Sequence, residues 1–455
     1  MEERATAELR ELLGERLSTA PSVLDLHGRD ESSLPPSPPD AVAHPRSTEE
    51  AAAIVAICAR HRVPVIPFGA GSSLEGHVLA TRGGVSVDTQ LMDQIRRVSL
   101  PDLDVTVQAG VRRVALEQRL GPDGLFFSVD PGADASLGGM AATGASGTNT
   151  VRYGTMRENV LDLEVVLADG RVIHTGTRAR KSSAGYDLTH LFIGSEGTLG
   201  LITELTLRLH AIPEAVSAAA CPFAGVEAAV ATAIAIVQAG VSIARCELLD
   251  ATMMRAVNEH AQLDHPEAPT LFLEFHGSPA GVEEDARYVA ELAREHGGGD
   301  FTWASRTEDR NRLWRARHNA YFAGLALRPG CRALTTDVCV PVSELAGCIE
   351  ETLADVEQLP FPAPLLGHLA DGNFHMMMLI DPSDPEERRI GQDAYDRLVA
   401  RALAAGGTCT GEHGVGLGKR RSLADEAGAA LGVMRSLKQA LDPAGLFNPD
   451  KVLGA

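Results

Sequence analysis

The chain has 455 residues, 44% of them hydrophobic, enough to bury two or three cores. Its 41 basic against 61 acidic side chains leave a formal charge of −20, a surface that repels nucleic acid and anionic lipid. No run of about 18 apolar residues is available to span a bilayer, and the seven cysteines form no CxxC, which fits a reducing compartment and excludes an iron–sulfur site recognisable by spacing.

From the N-terminus, MEERATAELRELLGERL reads as an acidic amphipathic helix. It lacks the basic and apolar regions of a secretory signal, so the expected location is cytoplasmic, or peripheral to the inner membrane. Residues 32–46 are a Pro-rich, extended lead-in. Ser47 and Glu50 then give a capping-box pattern, opening a helix whose buried side carries Ile54, Val55, Ile57 and Cys58. Strands are predicted over 63–67, 84–88 and 104–109, a hairpin over 163–175 turning at Asp169-Gly170, and a half-buried strand over 201–209. Between these, residues 132–154 read as a glycine-rich loop of unusual length. At 210–213 the texture changes. Strands near 217, 243–248 and 270–276 alternate with helices 225–239, 250–259 and 282–296, a pattern of helices on one face of a mostly antiparallel sheet. A helix over 307–327, a strand over 332–340 and a helix over 343–358 follow, and residues 422–455 close with a helix and the tail FNPDKVL.

Three segments of the first half are dense in glycine: GAGSSLEGH (69–77), DPGADASLGGMAATGASGTNTVRYGTMR (130–157) and GSEGTLGLIT (194–203). The first is not GxGxxG and has no acidic residue about 20 positions on for a ribose, so alone it reads as a turn. Glycine lets backbone approach a ligand at an entropic cost. Three such segments beside strands therefore point to a large, flat, phosphorylated ligand lying against backbone. In the second half, GHLADGNFH (367–375) places Asp371-Gly372 between apolar runs, the signal of a two-residue hairpin turn. In that register His368 faces His375, with Cβ atoms roughly 4.5–5.5 Å apart, a chelating distance. TGEHGVG further on supplies Glu412 and His413 between glycines. The bland alternative is a pair of hydrogen-bonded core histidines.

These segments together resemble the flavin domain of the vanillyl-alcohol-oxidase-type FAD family, and FNPDKVL is similar to its C-terminal signature. GHLADGNFH with TGEHGVGLGK resembles the motif pair of the FAD-linked 2-hydroxyacid dehydrogenases. LWRARHNAYFAGLALRPGCRALTTDVCVP (313–341) resembles the cytochrome-linked, D-lactate-oxidising branch. Ala370 departs from the family's usual glycine.

The resemblance implies an α+β protein. Its parts are a two-part FAD-binding domain (1–212, with 422–455 returning to it) and an α+β cap or substrate domain with an antiparallel sheet (213–421). By resemblance, Pro67, Gly69, Gly71, Ser72, Ser73 and Gly76 cradle the FAD pyrophosphate. Pro131, Gly138, Gly139, Thr143, Ser146, Gly147, Asn149 and Gly154 line the flavin and ribityl chain. Gly197 and Ile202 support the adenine end, and Asn448 reaches the flavin ring. His77 stands near where flavinylated relatives carry their attachment histidine, but this branch holds FAD non-covalently. His368, His375 and Glu412 are the implied ligands of one divalent metal, Zn²⁺ or Mn²⁺, with His413 the general base and Arg317 the substrate-carboxylate clamp. The implied reaction is oxidation of a D-2-hydroxy acid, D-lactate to pyruvate, by metal-assisted removal of the hydroxyl proton and hydride transfer from C2 to flavin N5. Electrons then pass to an external acceptor: a cytochrome, an electron-transfer flavoprotein or a quinone. Relatives acting on D-2-hydroxyglutarate carry Lys where Thr335 stands and Asn where Met377 stands. The rivals are D-2-hydroxyglutarate or glycolate oxidation, a non-redox flavoprotein of the ether-lipid synthase type, and a zinc hydrolase.

Overall fold

In the computed structural model, which describes residues 3–454, the chain divides into two units. One comprises the chain up to Gly147, Gly154–Ile212 and everything from Glu412; the other comprises Thr148–Tyr153 and Pro213–Gly411.

The first unit is built mainly on a mixed sheet and an antiparallel one, beside the short pair Leu125–Phe126 and His210–Ala211. Ala41–Ala43, Val85–Asp88 and Val65–Phe68 lie parallel, with Leu17–Ser18 pairing antiparallel at one edge. Parallel strands sit in the interior, and all four residues of Val85–Asp88 are buried, Ser86 and Asp88 included. Helix Thr48–His61 buries Ile54 and Val55 completely; each such side chain contributes on the order of 1.5–3 kcal/mol. Ser47 caps it, accepting from the Glu50 N–H at 3.3 Å. The reciprocal half of the expected capping box does not form. The Glu50 carboxylate instead accepts from the Arg46 N–H at 2.8 Å and from the Arg16 guanidinium at 2.7 Å, a charge-assisted and stronger bond. The second sheet is antiparallel, in the order Ile95–Ser99, Asp104–Gln108, Leu201–Arg208, Val160–Val166, Val172–His174. From the tail, Phe447 bridges Val65 in parallel.

The stretch 132–154 is not a loop throughout. Leu137–Thr143 and Thr150–Tyr153 are helical. Glycine disfavours helix, but here it lets the backbone pack closely: a Cβ on Gly138 would stand 2.6 Å from Ala109 Cβ. Tertiary packing overrides propensity.

In the second unit an antiparallel sheet runs Thr302–Ala304, Ala215–Pro222, Thr270–Gly277, Ile243–Leu249, Leu365–His368, Asn373–Ile380, Arg332–Thr335, with Val338–Cys339 also paired to Asn373–Ile380. Helices cover both faces, not one as the pattern suggested. Cys246, Leu248, Leu273 and Phe275 face helices Val226–Gln238, Pro279–Glu295, Leu345–Val356 and Pro385–Ala404. Leu249, Phe272 and Met377 face Ala251–Ala261, Thr307–His318 and Ala320–Ala326. The helix expected over 307–327 is two, meeting at Asn319. The strand expected over 332–340 breaks at Thr336-Asp337, both fully buried.

Candidate functional site

The histidine hairpin is formed by Leu365–His368 and Asn373–Ile380, between Ile243–Leu249 and the edge strand Arg332–Thr335 of the second unit's sheet. Its turn is longer than the sequence suggested: Leu369–Asp371 form a 3-10 turn closed by Gly372 at φ 79°. A Cβ on Gly372 would meet the Val340 carbonyl oxygen at 2.1 Å, so the left-handed turn is packed tightly in place. The register is corrected accordingly, with His368 facing Asn373 and His375 facing Leu366. The two histidines are diagonal neighbours on one face rather than opposite each other. Their rings still stand 5.6 Å apart between centroids at 84°, with ring nitrogens within 4.8 Å.

Their outer nitrogens decide what they offer. His375 Nδ1 lies 3.0 Å from the Thr336 carbonyl oxygen, which only accepts, so this nitrogen carries the proton. His368 Nδ1 lies 2.6 Å from the Glu247 carboxylate, which likewise accepts a hydrogen bond from it. With Nδ1 of each ring turned to an acceptor, Nε2 is the nitrogen left to bind a metal, the arrangement of metal-binding histidines. Asp337 stands 3.7 Å from His375 Nδ1 and accepts from Asn373 Nδ2 at 2.9 Å and Thr410 Oγ1 at 2.8 Å. Gly411, which ends this unit, is pressed against the same group: a Cβ there would meet Asn373 Nδ2 at 2.1 Å. Glu412 is the next residue in the chain.

Arg317 lies on helix Thr307–His318 and is half-buried, whereas Arg312 and Arg315 are exposed. Its Nε donates to Glu247 Oε2 at 2.8 Å. The helix's own acidic residues, Glu308 and Asp309, belong to its first turn. Burial alone would raise the Glu247 carboxyl, but His368 and Arg317, both hydrogen-bonded to it, hold it below the ordinary carboxylate range. On the same sheet, Thr335 is directly opposite Met377, two residues beyond His375.

In the first unit the glycine-rich segments are closely packed. A Cβ on Gly69 would strike Ser136 Oγ at 2.1 Å, and one on Gly197 would reach Pro67 Cγ at 2.7 Å. Gly71 and Gly76 take φ 68° and 77°. The result is a cradle with no room for side chains at these positions, which fits an extended phosphorylated ligand laid on peptide groups. Ser73 donates to Asp30 at 3.0 Å, Thr143 to the Gly139 carbonyl at 3.1 Å, and Ile202 lies in the core. Gly139 N–H is capped by Ser136 Oγ at 3.3 Å. Gly147 packs on Asp130, beside Pro131. Gly154 precedes a capping box between Thr155 and Glu158. Asn149, assigned to the second unit, accepts from Arg245 Nε at 3.1 Å.

Two carboxylates organise the GEHGVG turn. Ser146 donates to Glu412 Oε2 at 2.6 Å. Glu196, buried and at φ 53°, accepts from the Val415 and Gly416 N–H groups at 2.6 and 2.7 Å and pairs with His77 at 3.1 Å. Burial opposes both charges, but each partner sustains the other: Glu196 is held below the ordinary carboxylate range and His77 above the ordinary imidazole one. Asn448 donates its amide to the carbonyls of His77 and Glu196 at 3.0 and 2.8 Å, and so ties the tail to both segments.

Residues 39–176 match the FAD binding domain family, and residues 212–452 match the family of FAD linked oxidases, C-terminal domain. The chain belongs to the FAD-linked oxidase family. This FAD-linked oxidase is 53% identical over 456 residues to a probable D-lactate dehydrogenase, mitochondrial, of Danio rerio, covering 99% of this chain and 92% of the relative. It is 43% identical to the D-lactate dehydrogenase (cytochrome), mitochondrial, of Arabidopsis thaliana, over 98% of this chain and 79% of that one. Its fold is that of p-cresol methylhydroxylase, at a TM-score of 0.80 and 17% identity over 99% of this chain and 96% of the other. The α+β assignment therefore stands, and the protein is an oxidoreductase. Among the described residues no helix is long and apolar enough to cross a membrane.

Sequence reasoning missed the carboxylates that hold the FAD-linked oxidase's candidate residues in place. Glu247 sits in the mostly apolar strand IARCELL, and Asp337 in LTTDVCV. An acidic residue at a core position was the available signal, because an interior charge needs partners.

Proposed function

We propose that this FAD-linked oxidase oxidises a D-2-hydroxy acid, D-lactate to pyruvate, and passes the electrons to an external acceptor: a cytochrome, an electron-transfer flavoprotein or a quinone. The observation that carries the reading is the histidine pair whose Nδ1 protons are both engaged, beside a half-buried arginine on the same sheet face. The names of the similar D-lactate dehydrogenases support the substrate. Residues 67–76, 131–154, Gly197, Ile202 and Asn448 would hold FAD without a covalent bond. His368, His375 and Glu412 would hold one divalent metal, Zn²⁺ or Mn²⁺. When bound, these groups supply a two-electron acceptor and a Lewis acid for an α-hydroxy carboxylate. The protein's own part is positional and protonic. Arg317 has its Nε engaged by Glu247 and presents the rest of its fork to the substrate carboxylate, a task lysine performs less well. His413 accepts the hydroxyl proton as general base. Ser146 and the glycines flanking Glu412-His413 let these adjacent residues serve different partners.

The test is reduction of an artificial dye with D-lactate, L-lactate, glycolate and D-2-hydroxyglutarate as sole donors. D-lactate is expected to be preferred and L-lactate to be nearly inert, because metal, arginine and flavin face fix three points around C2. Equal rates with both lactates would overturn this reading. Substrate range is expected to respond at the cross-strand pair. Met377→Asn with Thr335→Lys should raise kcat/KM for D-2-hydroxyglutarate by roughly ten- to a hundredfold, the worth of a charged hydrogen bond to the distal carboxylate. No rise for the dicarboxylate would remove this pair from the specificity argument.

A further inference from the structure

We propose that Glu247 is a positioning residue that fixes two parts of the site at once: the tautomer of His368 and the orientation of Arg317. The inference rests on the reading above, in which His368 binds metal and Arg317 binds the substrate carboxylate. Glu247 lies near the middle of strand Ile243–Leu249, directly opposite His368 in the register of the neighbouring strand. It is 1% exposed. Its two oxygens go to different partners, Oε1 to His368 Nδ1 at 2.6 Å and Oε2 to Arg317 Nε at 2.8 Å.

A carboxylate is an acceptor at both oxygens, and both partners are donors here, so only the ionised acid satisfies them together. Accepting the His368 Nδ1 proton keeps Nε2 as the lone-pair nitrogen. Accepting the Arg317 Nε proton fixes the plane of the guanidinium and leaves its terminal nitrogens to face outward. A glutamine of the same shape presents one oxygen and one NH₂ group. Whichever way it turns, one N–H donor meets another. Turned against His368, it favours the tautomer with a proton on Nε2 and blocks the metal. Turned against Arg317, it displaces the guanidinium from its plane. The geometry thus couples metal affinity to substrate affinity through a residue that touches neither.

The experiment compares wild type, Glu247→Gln and Arg317→Gln as FAD-loaded enzymes. Zinc affinity is read by chelator competition, and D-lactate affinity by anaerobic flavin reduction at saturating zinc. Glu247→Gln is expected to weaken zinc binding by about 10–100-fold, as loss of a carboxylate behind a ligating histidine does, and also to raise the apparent D-lactate Kd at saturating zinc. Arg317→Gln is expected to raise the D-lactate Kd while leaving zinc affinity close to that of wild type, because Glu247 Oε1 keeps its contact with His368 Nδ1. If Glu247→Gln does not fold, Glu247→Asp replaces it. One methylene shorter, it cannot span both contacts, and it too should lose affinity in at least one readout with FAD content unchanged. A wild type that binds zinc and D-lactate, with Glu247 variants matching it in both, overturns this inference alone. A wild type that binds neither overturns the parent reading and this inference with it.

Discussion

His413→Asn is expected to keep its metal and its yellow FAD, yet to slow flavin reduction by D-lactate by roughly 10²–10⁴, the range for losing a positioned general base. The expectation rests on a division of labour within Glu412-His413. Ser146 holds one oxygen of Glu412 at 2.6 Å, while His413 Nε2 stands 3.9 Å from the other, beyond hydrogen-bonding distance. Glu412 therefore does not claim the neighbouring imidazole through that contact. Glu412→Ala is expected to lower metal content and activity together. Raising the pH should partly restore His413→Asn, because hydroxide can replace the missing base, and should leave Glu412→Ala inactive. Both variants can be followed by metal analysis beside stopped-flow flavin bleaching. A His413→Asn enzyme that loses its metal, beside a Glu412→Ala enzyme that keeps it and reacts normally, would exchange the two roles.

Glu196→Ala is expected to be the most destabilising single change in the first unit. It strips the Val415 and Gly416 N–H groups of their acceptor and leaves His77 buried without its counter-charge. Removing one partner of a buried pair costs about 3–5 kcal/mol, and the GEHGVG turn loses its anchor at the same time. The pair also gives stability a pH signature in the wild type. Glu196 is depressed below its ordinary 4.5, so its contribution is present above that value and is lost as pH falls through the lower, folded-state pKa. His77 is raised above its ordinary 6.5, so its contribution is complete below that value and is lost as pH rises through the folded pKa. Thermal melts should show wild type most favoured over Glu196→Ala between these limits, with the gap narrowing at both ends. FAD retention after gel filtration should fall in the variant. A variant that melts with wild type at every pH and keeps its FAD would reduce Glu196 to a passive residue.

The sequence pattern showed the strands and most helices where hydrophobic spacing is regular, as in Thr48–His61 with Ile54, Val55, Ile57 and Cys58 on its buried side. It failed where glycine or local charge hides the spacing. Leu137–Thr143 was hidden by Gly138 and Gly139, whose function is close packing rather than flexibility. Pro385–Ala404 carries Ala394, Leu398 and Ala402 at helical intervals, but its first two turns are mostly charged. Spacing found the two histidines and the Glu-His pair but misjudged the turn, because a 3-10 turn and a two-residue turn share the Asp-Gly signal. Glu247, Asp337 and Ser146 acquire their roles only through contacts between distant segments, such as the 70 positions between Glu247 and Arg317, which local patterning does not encode.

The most direct test of D-2-hydroxy acid oxidation is anaerobic titration of the purified, FAD-loaded enzyme with D-lactate and, separately, L-lactate, followed at the flavin's visible band. The expected result is complete bleaching by D-lactate with pyruvate formed in equal amount to the FAD reduced, and a spectrum unchanged by L-lactate. A flavin left oxidised by excess D-lactate in the metal-loaded enzyme would contradict it.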